Sequence, residues 1–151
     1  METRPKVYKI VFLTQSDTTV GFLSQNSQKL ADLKNRKPNK EFLRVIDSFS
    51  TLKSFVRVPK KFKKVIRNSK KTTFIYPNKK AFRVIFDKTH REFIKKFKWF
   101  YSTSANESGK RFELNFAIKN CDIIIYDKRG FSEQNPSKII KLSKNRQKRL
   151  R

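Results

Sequence analysis

Short runs of β-branched and aromatic residues alternate along this chain with stretches whose apolar side chains recur at helical spacing. That alternation commits the chain to a mixed sheet with helices packed on its faces. Val7–Leu13 is apolar and β-branched enough for a buried strand, and the polar TQSDTTVG after it predicts a loop over Thr14–Gly21. Asn26 or Ser27 caps a short helix carrying Leu30 and Leu33, which Pro38 stops. Phe42–Ile46 reads as a strand, Ser48 or Ser50 opens a helical turn, and Pro59 starts a helix with Phe62, Val65 and Ile66 on one face. Thr72–Tyr76 and Ala81–Phe86 are joined by so short a connection, PNKK, that they form an antiparallel pair. Thr89–Phe97 reads as an amphipathic helix, Lys98–Ser102 as a strand and Phe112–Ile118 as a helix, with further strands at Asp122–Tyr126 and Lys138–Leu142.

The 151 residues are the length of one domain, expected over 1–142 around one core. The last segment, 143–151, has almost no apolar content and is expected to be a disordered basic tail.

Charge narrows the partner. Lys and Arg number 38 against 12 Asp and Glu, a net +26, which draws polyanions such as RNA, DNA or anionic lipid as well as small anions such as ATP. Lysines scattered over solvated faces by compositional drift would give the same total. Cys121 is the only cysteine and His90 the only histidine, which argues against an internal disulfide, a zinc site and the Ser-His or Cys-His nucleophile schemes. His90 follows Asp87, a helix cap, and is expected on the surface of a first helical turn. The sequence holds no run approaching the ~20 apolar residues of a membrane span. METRPKV lacks the apolar core of a secretory signal, so a cytoplasmic setting without membrane partners is expected.

Only three glycines occur, and two of them, Gly21 and Gly109, close polar loops. The loop STSANESG concentrates hydroxyl and amide groups, Ser102, Ser104 and Asn106 among them, that can bond phosphate, ribose or carboxylate oxygens. Two positions apart, Lys34 and Arg36 would point to one side of an extended backbone and could grip a polyphosphate.

These segments resemble, in order, the motifs of the YrdC-type threonylcarbamoyl-AMP synthases. STSANESG is similar to that family's serine-asparagine motif and LTQSDTTVG to its threonine-acid-threonine loop. Lys34-Asn35-Arg36 resembles its Lys-x-Arg signature, Ala81-Phe82-Arg83-Val84 its arginine-bearing strand, and Asn135-Pro136-Ser137 its late Pro-Ser segment. Gln15 stands where the family has proline, Val20 where an aromatic ring is usual, and Lys37 at a second proline position.

The resemblance implies a twisted mixed sheet with flanking helices and a basic cavity. It also implies a reaction that joins L-threonine, bicarbonate or CO2, and ATP into threonylcarbamoyl adenylate and pyrophosphate, with Mg2+ assisting, for N6-threonylcarbamoyladenosine formation in tRNA. Matching positions give Lys34 and Arg36 the ATP phosphates, and Ser102, Ser104 and Asn106 the adenylate. Ser16, Arg83 and Ser137 would seat threonine. No protein-held metal is implied. Possible partners are tRNA and other tRNA-modification proteins. The alternative is a family member without catalysis that serves as an RNA- or nucleotide-binding module.

Overall fold

The computed structural model describes residues 6–37 and 41–151, so Met1 and Pro38 lie outside the described residues. The chain forms two compact units, Met1–Phe42 with Tyr101–Asn135, and Leu43–Phe100 with Pro136–Arg151.

In the first unit, β1 (Phe12–Gln15) and β2 (Val20–Ser24) form an antiparallel hairpin. β2 pairs antiparallel with the Tyr101–Ser104 end of β6 (Trp99–Ser104), and β1 pairs in parallel with β7 (Ile123–Ile125). The expected long loop is therefore four residues, 16–19, and VGF belongs to a strand. The six polar side chains of TQSDTT hide that hairpin from a hydrophobicity reading, yet Thr14, Gln15, Ser16, Asp17 and Thr18 are all buried. α1 (Ser27–Lys34) begins at Asn26, whose side chain accepts from the Gln28 and Lys29 amides. α5 (Leu114–Asn120) precedes β7. Leu13, Phe22, Leu30 and Ala117 form the core of this unit.

Gly21 lies on β2 opposite Ser104 of β6. A Cβ there would stand 3.0 Å from the Thr103 carbonyl oxygen, a backbone atom that cannot swing aside. Gly21→Ala is expected to destabilise the protein by about 1–3 kcal/mol, the range for forcing extra volume into packed structure, read as a lowered denaturation midpoint.

The second unit carries β3 (Leu43–Ile46), β4 (Thr72–Ile75), β5 (Ala81–Val84), β8 (Lys138–Leu142) and β9 (Gln147–Arg149). β5 lies between β3, parallel to it, and β4, antiparallel to it. β4 runs parallel to β8, which turns back antiparallel into β9. The hairpin across PNKK is as expected. α2 (Phe49–Phe55) is capped by Ser48, and a 3₁₀ turn over Lys60–Phe62 leads into α3 (Lys63–Asn68). α4 (Lys88–Lys95) is capped by Asp87. His90, expected at the surface, is 1% exposed. The cap fixes where α4 starts but leaves open which face turns inward, and this unit turns His90 in with Ile94.

Two corrections concern the whole chain. A second cluster of buried residues, centred on Ile46, Leu52, Phe74 and Phe82, gives this unit its own core where one was expected. Residues 143–151 do not form a disordered tail. Backbone bonds tie β9 to β8, Ile139 exchanges bonds with Leu150 and Arg151, and Ser143 bonds Arg146. Composition misleads here because an edge hairpin needs ladder hydrogen bonds more than apolar side chains. Among the described residues, no helix is long and apolar enough to cross a membrane.

Candidate functional site

In the first unit the Lys-x-Arg segment is a helix stop. Asn35 adopts the left-handed conformation (φ 51°), and the Arg36 amide bonds back to the Ala31 carbonyl at 2.9 Å. Asparagine tolerates that conformation better than most residues, so the middle position of the motif is what ends α1. The stop sends its two cations different ways. Lys34 is buried, and its Nζ donates to Ser104 O (2.9 Å), Asn106 O (2.5 Å) and Asn106 Oδ1 (3.2 Å). Arg36 is exposed with its guanidinium 4.9 Å from the centre of the Phe42 ring. The expectation that both point one way from an extended backbone does not hold, yet both face one cavity.

That cavity, about 500 Å3, is lined by Lys34, Asn35, Arg36, Lys37, Ser104, Asn106, Ser108 and Gly109. Three cations face it and its described lining holds no carboxylate, so its potential is positive. Asn106 is held by its own amide, which donates to Glu107 O and Lys110 O. Ser108 Oγ donates to Lys34 O at 2.7 Å, a second tie between the helix stop and the serine-asparagine loop. Gly109 takes φ +80° in that loop, the region glycine enters without a Cβ clash. Ser102 is buried on β6 and does not line the cavity. Ser16 staples the β1–β2 turn, donating to Thr19 O and accepting from the Thr18 amide. Gln15, in the place of the motif proline, accepts from the Ser132 amide through Oε1.

Burial, and after it the charge of Arg36, pushes the Lys34 ammonium down to about 8. A bound phosphate would hold the proton on, so anion binding above pH 8 takes up a proton. Nucleotide affinity is therefore expected to fall about tenfold per pH unit above 8. Calorimetry in buffers of different ionisation enthalpy checks this. The stability sign runs with it. The folded value lies below the unfolded one of 10.5, so the penalty for burying charged Lys34 is full below pH 8 and is relieved as pH rises through that window.

In the second unit, Ser137 Oγ and Thr73 Oγ1 lie 2.8 Å apart, both buried. Arg151 donates through Nε to Ser137 O (2.9 Å) and through Nη2 to Ser137 Oγ (3.4 Å). Arg83, on β5, is 4% exposed. Burial and then the charge of Arg83 hold the Arg151 guanidinium below its usual range. Arg151 thus lies within electrostatic reach of Arg83 and bonds Ser137, whose hydroxyl meets that of Thr73. Arg151 and Thr73 are the members that sequence reading missed. Arg151 was hidden in a segment judged by composition, and its only signal was the alternation of QKRLR.

The structure therefore brings Lys34, Arg36, Ser104 and Asn106 around one cavity, and Arg83 and Ser137 around Arg151. Ser16 and Ser102 instead hold a turn and fill β6. Trp99 and Tyr101, the aromatic residues flanking Phe100 on β6, are half-buried and pack against the cores of the second and first unit, respectively. Among the described residues, no group of three His, Cys, Asp or Glu side chains is placed to hold a metal ion.

The chain is thus a mixed α/β protein in which short polar loops carry a cation-lined cavity. The sequence profile of the Sua5/YciO/YrdC family, described as telomere recombination, matches residues 17–151, and the chain belongs to that family. No curated protein sequence matches it.

Among solved structures, P. abyssi Sua5 complexed with L-threonine superposes with a TM-score of 0.78 at 16% identity, over 94% of this chain and 50% of that one. E. coli YciO superposes with a TM-score of 0.75 at 16% identity, over 94% of this chain and 82% of that one. Full-length HypF in its phosphate- and nucleotide-bound form gives 0.73 at 11% identity, over 94% of this chain and 26% of that one. At these identities the likeness is one of fold. The chain spans about half the length of the Sua5 it matches.

Proposed function

We propose that the protein forms threonylcarbamoyl adenylate from L-threonine, bicarbonate or CO2, and ATP, as the activated donor for N6-threonylcarbamoyladenosine in tRNA. The observation that carries this reading is the cavity of the first unit, where Lys34, Arg36 and Lys37 meet the Ser104–Asn106 loop with no carboxylate among the described lining residues. The threonine held by P. abyssi Sua5 and the phosphate and nucleotide held by HypF support the same ligand classes.

In this scheme the amine of threonine adds to CO2 and loses a proton, giving a carbamate. A carbamate oxygen attacks the α-phosphorus of ATP, the bond to the bridging oxygen breaks, and pyrophosphate leaves with the electron pair. The chemistry needs positive charge on the departing phosphates and an oriented carbamate, and no histidine or thiol nucleophile. Arg36 and Lys37 would stabilise the pyrophosphate, while Lys34 holds the Ser104–Asn106 loop in place and adds its field. Ser104 and Asn106 would orient the adenylate. Arg83, Arg151, Ser137 and Thr73 would receive the threonine carboxylate. Magnesium would enter as the counter-ion of ATP, held by phosphates and water, since the described cavity lining offers no carboxylate. A cytoplasmic setting, where ATP is available, suits the reading.

A second reading, a nucleotide-binding module without catalysis, draws on one observation: all three Lys34 protons are spent on loop oxygens. Incubation with ATP, magnesium, bicarbonate and L-threonine, followed by assay of pyrophosphate and the adenylate, separates the two. Threonine-dependent product supports the synthase. ATP binding without product supports the module.

A further inference from the structure

The charge of this chain is segregated. The second unit carries 25 of the 38 Lys and Arg but only 3 of the 12 Asp and Glu, a net +22, against +4 for the first unit of similar length. Drift across a lysine-rich composition would raise both units alike. Two of its segments, 48–86 and 136–151, contain no Asp or Glu at all and hold 12 and 7 cations.

Those two segments build a groove of about 1180 Å3. Lys53 from α2, Arg57, Lys60 and Lys61 from the 3₁₀ turn and its approach, Lys63 from α3 and Lys144 from the β8–β9 turn all line it, with no carboxylate among the described lining residues. All six cations are exposed. Val56, Val58, Pro59 and Pro77 supply aliphatic surface between them. Lys61 Nζ donates to Asn145 O at 3.0 Å, which ties the 3₁₀ turn to the β8–β9 turn and sets two cation-bearing segments on one concavity. None of the six lies in a motif shared with the family.

We infer that this groove binds the phosphodiester backbone of an RNA strand. Its volume exceeds the roughly 300–1,000 Å3 of small-ligand pockets. Its cations come from separate segments, as a repeating polyanion requires, and not from one loop around a single phosphate. A bilayer cannot enter a concavity, and the exposed large apolar residues of this unit, Val65, Phe86 and Leu150, do not line the groove. Among the described lining residues Asn78 and Asn145 are the only amide side chains, so the strand is held by its backbone with little reading of bases. The choice of RNA over DNA rests on the proposed role in tRNA modification. The groove itself does not, since its residues and those of the Lys34 cavity are assayed separately.

The test combines Arg57→Ala, Lys60→Ala and Lys144→Ala in the full chain and titrates a fluorescent tRNA transcript, an unstructured RNA oligonucleotide and DNA of the same sequence across a salt series. The variant should bind both RNAs at least about tenfold more weakly and lose about 2 from the slope of log K against log salt, as expected for three lost phosphate contacts. ATP binding and thermal midpoint should match the parent. A control with Lys88 and Lys95 of α4 and Lys96 just after it replaced by alanine should retain affinity. RNA binding unchanged in the groove variant, or equal loss in the α4 control, overturns the inference. So does DNA binding tighter than RNA, or groove-dependent capture of phosphatidylserine vesicles or an acidic peptide in place of RNA. In the parent chain, adenylate formation without groove-dependent RNA binding overturns the groove alone, and groove-dependent RNA binding without adenylate formation overturns the synthase reading alone.

Discussion

Arg36→Ala is expected to lower threonine-dependent adenylate formation at least about a hundredfold, the cost of removing one group aimed at developing charge. The thermal midpoint should hardly move. The reason is the helix stop. Asn35 in the left-handed conformation turns the chain off α1, so Arg36 leaves the helix with its backbone satisfied by Ala31 and its guanidinium exposed over Phe42. A cation-π contact at an exposed site contributes about 0.5–1 kcal/mol, so its loss is small. Lys34→Ala is the contrasting case. It leaves Ser104 O, Asn106 O and Asn106 Oδ1 without their donor, at about 1–3 kcal/mol, so activity and midpoint should fall together. Arg36→Lys should restore little, because an ammonium cannot present two parallel donors to a phosphate. Measured as pyrophosphate release beside a melting curve, Arg36→Ala retaining more than a tenth of the parent rate would remove Arg36 from the reaction.

The contrast between these two neighbours shows what could be read in advance. Elements with period-2 or period-3.6 patterns were legible, and so were caps with a side-chain acceptor at the right offset: Asp87 caps as expected, and the structure chooses Asn26 over Ser27 and Ser48 over Ser50 where the sequence allowed either. The β1–β2 hairpin was not, because the buried residues at and beside its turn, Thr14 to Thr18, are polar. Ser16 bonds the turn itself, satisfying groups that hydrophobicity scales assign to solvent. The left-handed Asn35 was equally hidden. Spacing in sequence placed Lys34 and Arg36 together, but only the helix stop explains why one is buried and the other free to meet a ligand. The ordered motifs located Lys34, Arg36, Ser104 and Asn106 without showing that one of them would be spent holding the others. His90 marks the limit of cap-based reading, for a cap sets phase along the helix and says nothing of which side the sheet covers.

Charge teaches a related lesson. The total of +26 could not distinguish a site from a solvated surface, whereas its division between two units, and the runs without Asp or Glu at 48–86 and 136–151, were present in the sequence all along. They acquire meaning once the fold brings Lys144 to the same groove as Arg57 and Lys60.

The C-terminal segment is where composition and structure diverge most, and removal of residues 143–151 should show it. A tail without apolar anchors would be dispensable. Here the deletion strips β9 from β8, exposes the edge of β8, and takes away the bonds between Ile139 and Leu150 and Arg151. It also deprives Ser137 of Arg151. Each lost backbone bond contributes about 0.5–1.5 kcal/mol, and several are lost together, so the thermal midpoint should fall by about 10 °C or more. Arg151→Ala separates the two consequences. Its guanidinium is replaced while the β8–β9 ladder survives, so the fold should hold. Threonine saturation of adenylate formation should then need at least about tenfold more threonine, with ATP affinity unchanged. Removing Arg151 also relieves the repulsion it shares with Arg83, so the variant should melt no lower than the parent by more than the two bonds to Ser137 contribute. A truncated chain that melts like the parent would return 143–151 to the status of a tail. An Arg151→Ala protein with unaltered threonine dependence would confine Arg151 to a structural role beside Ser137.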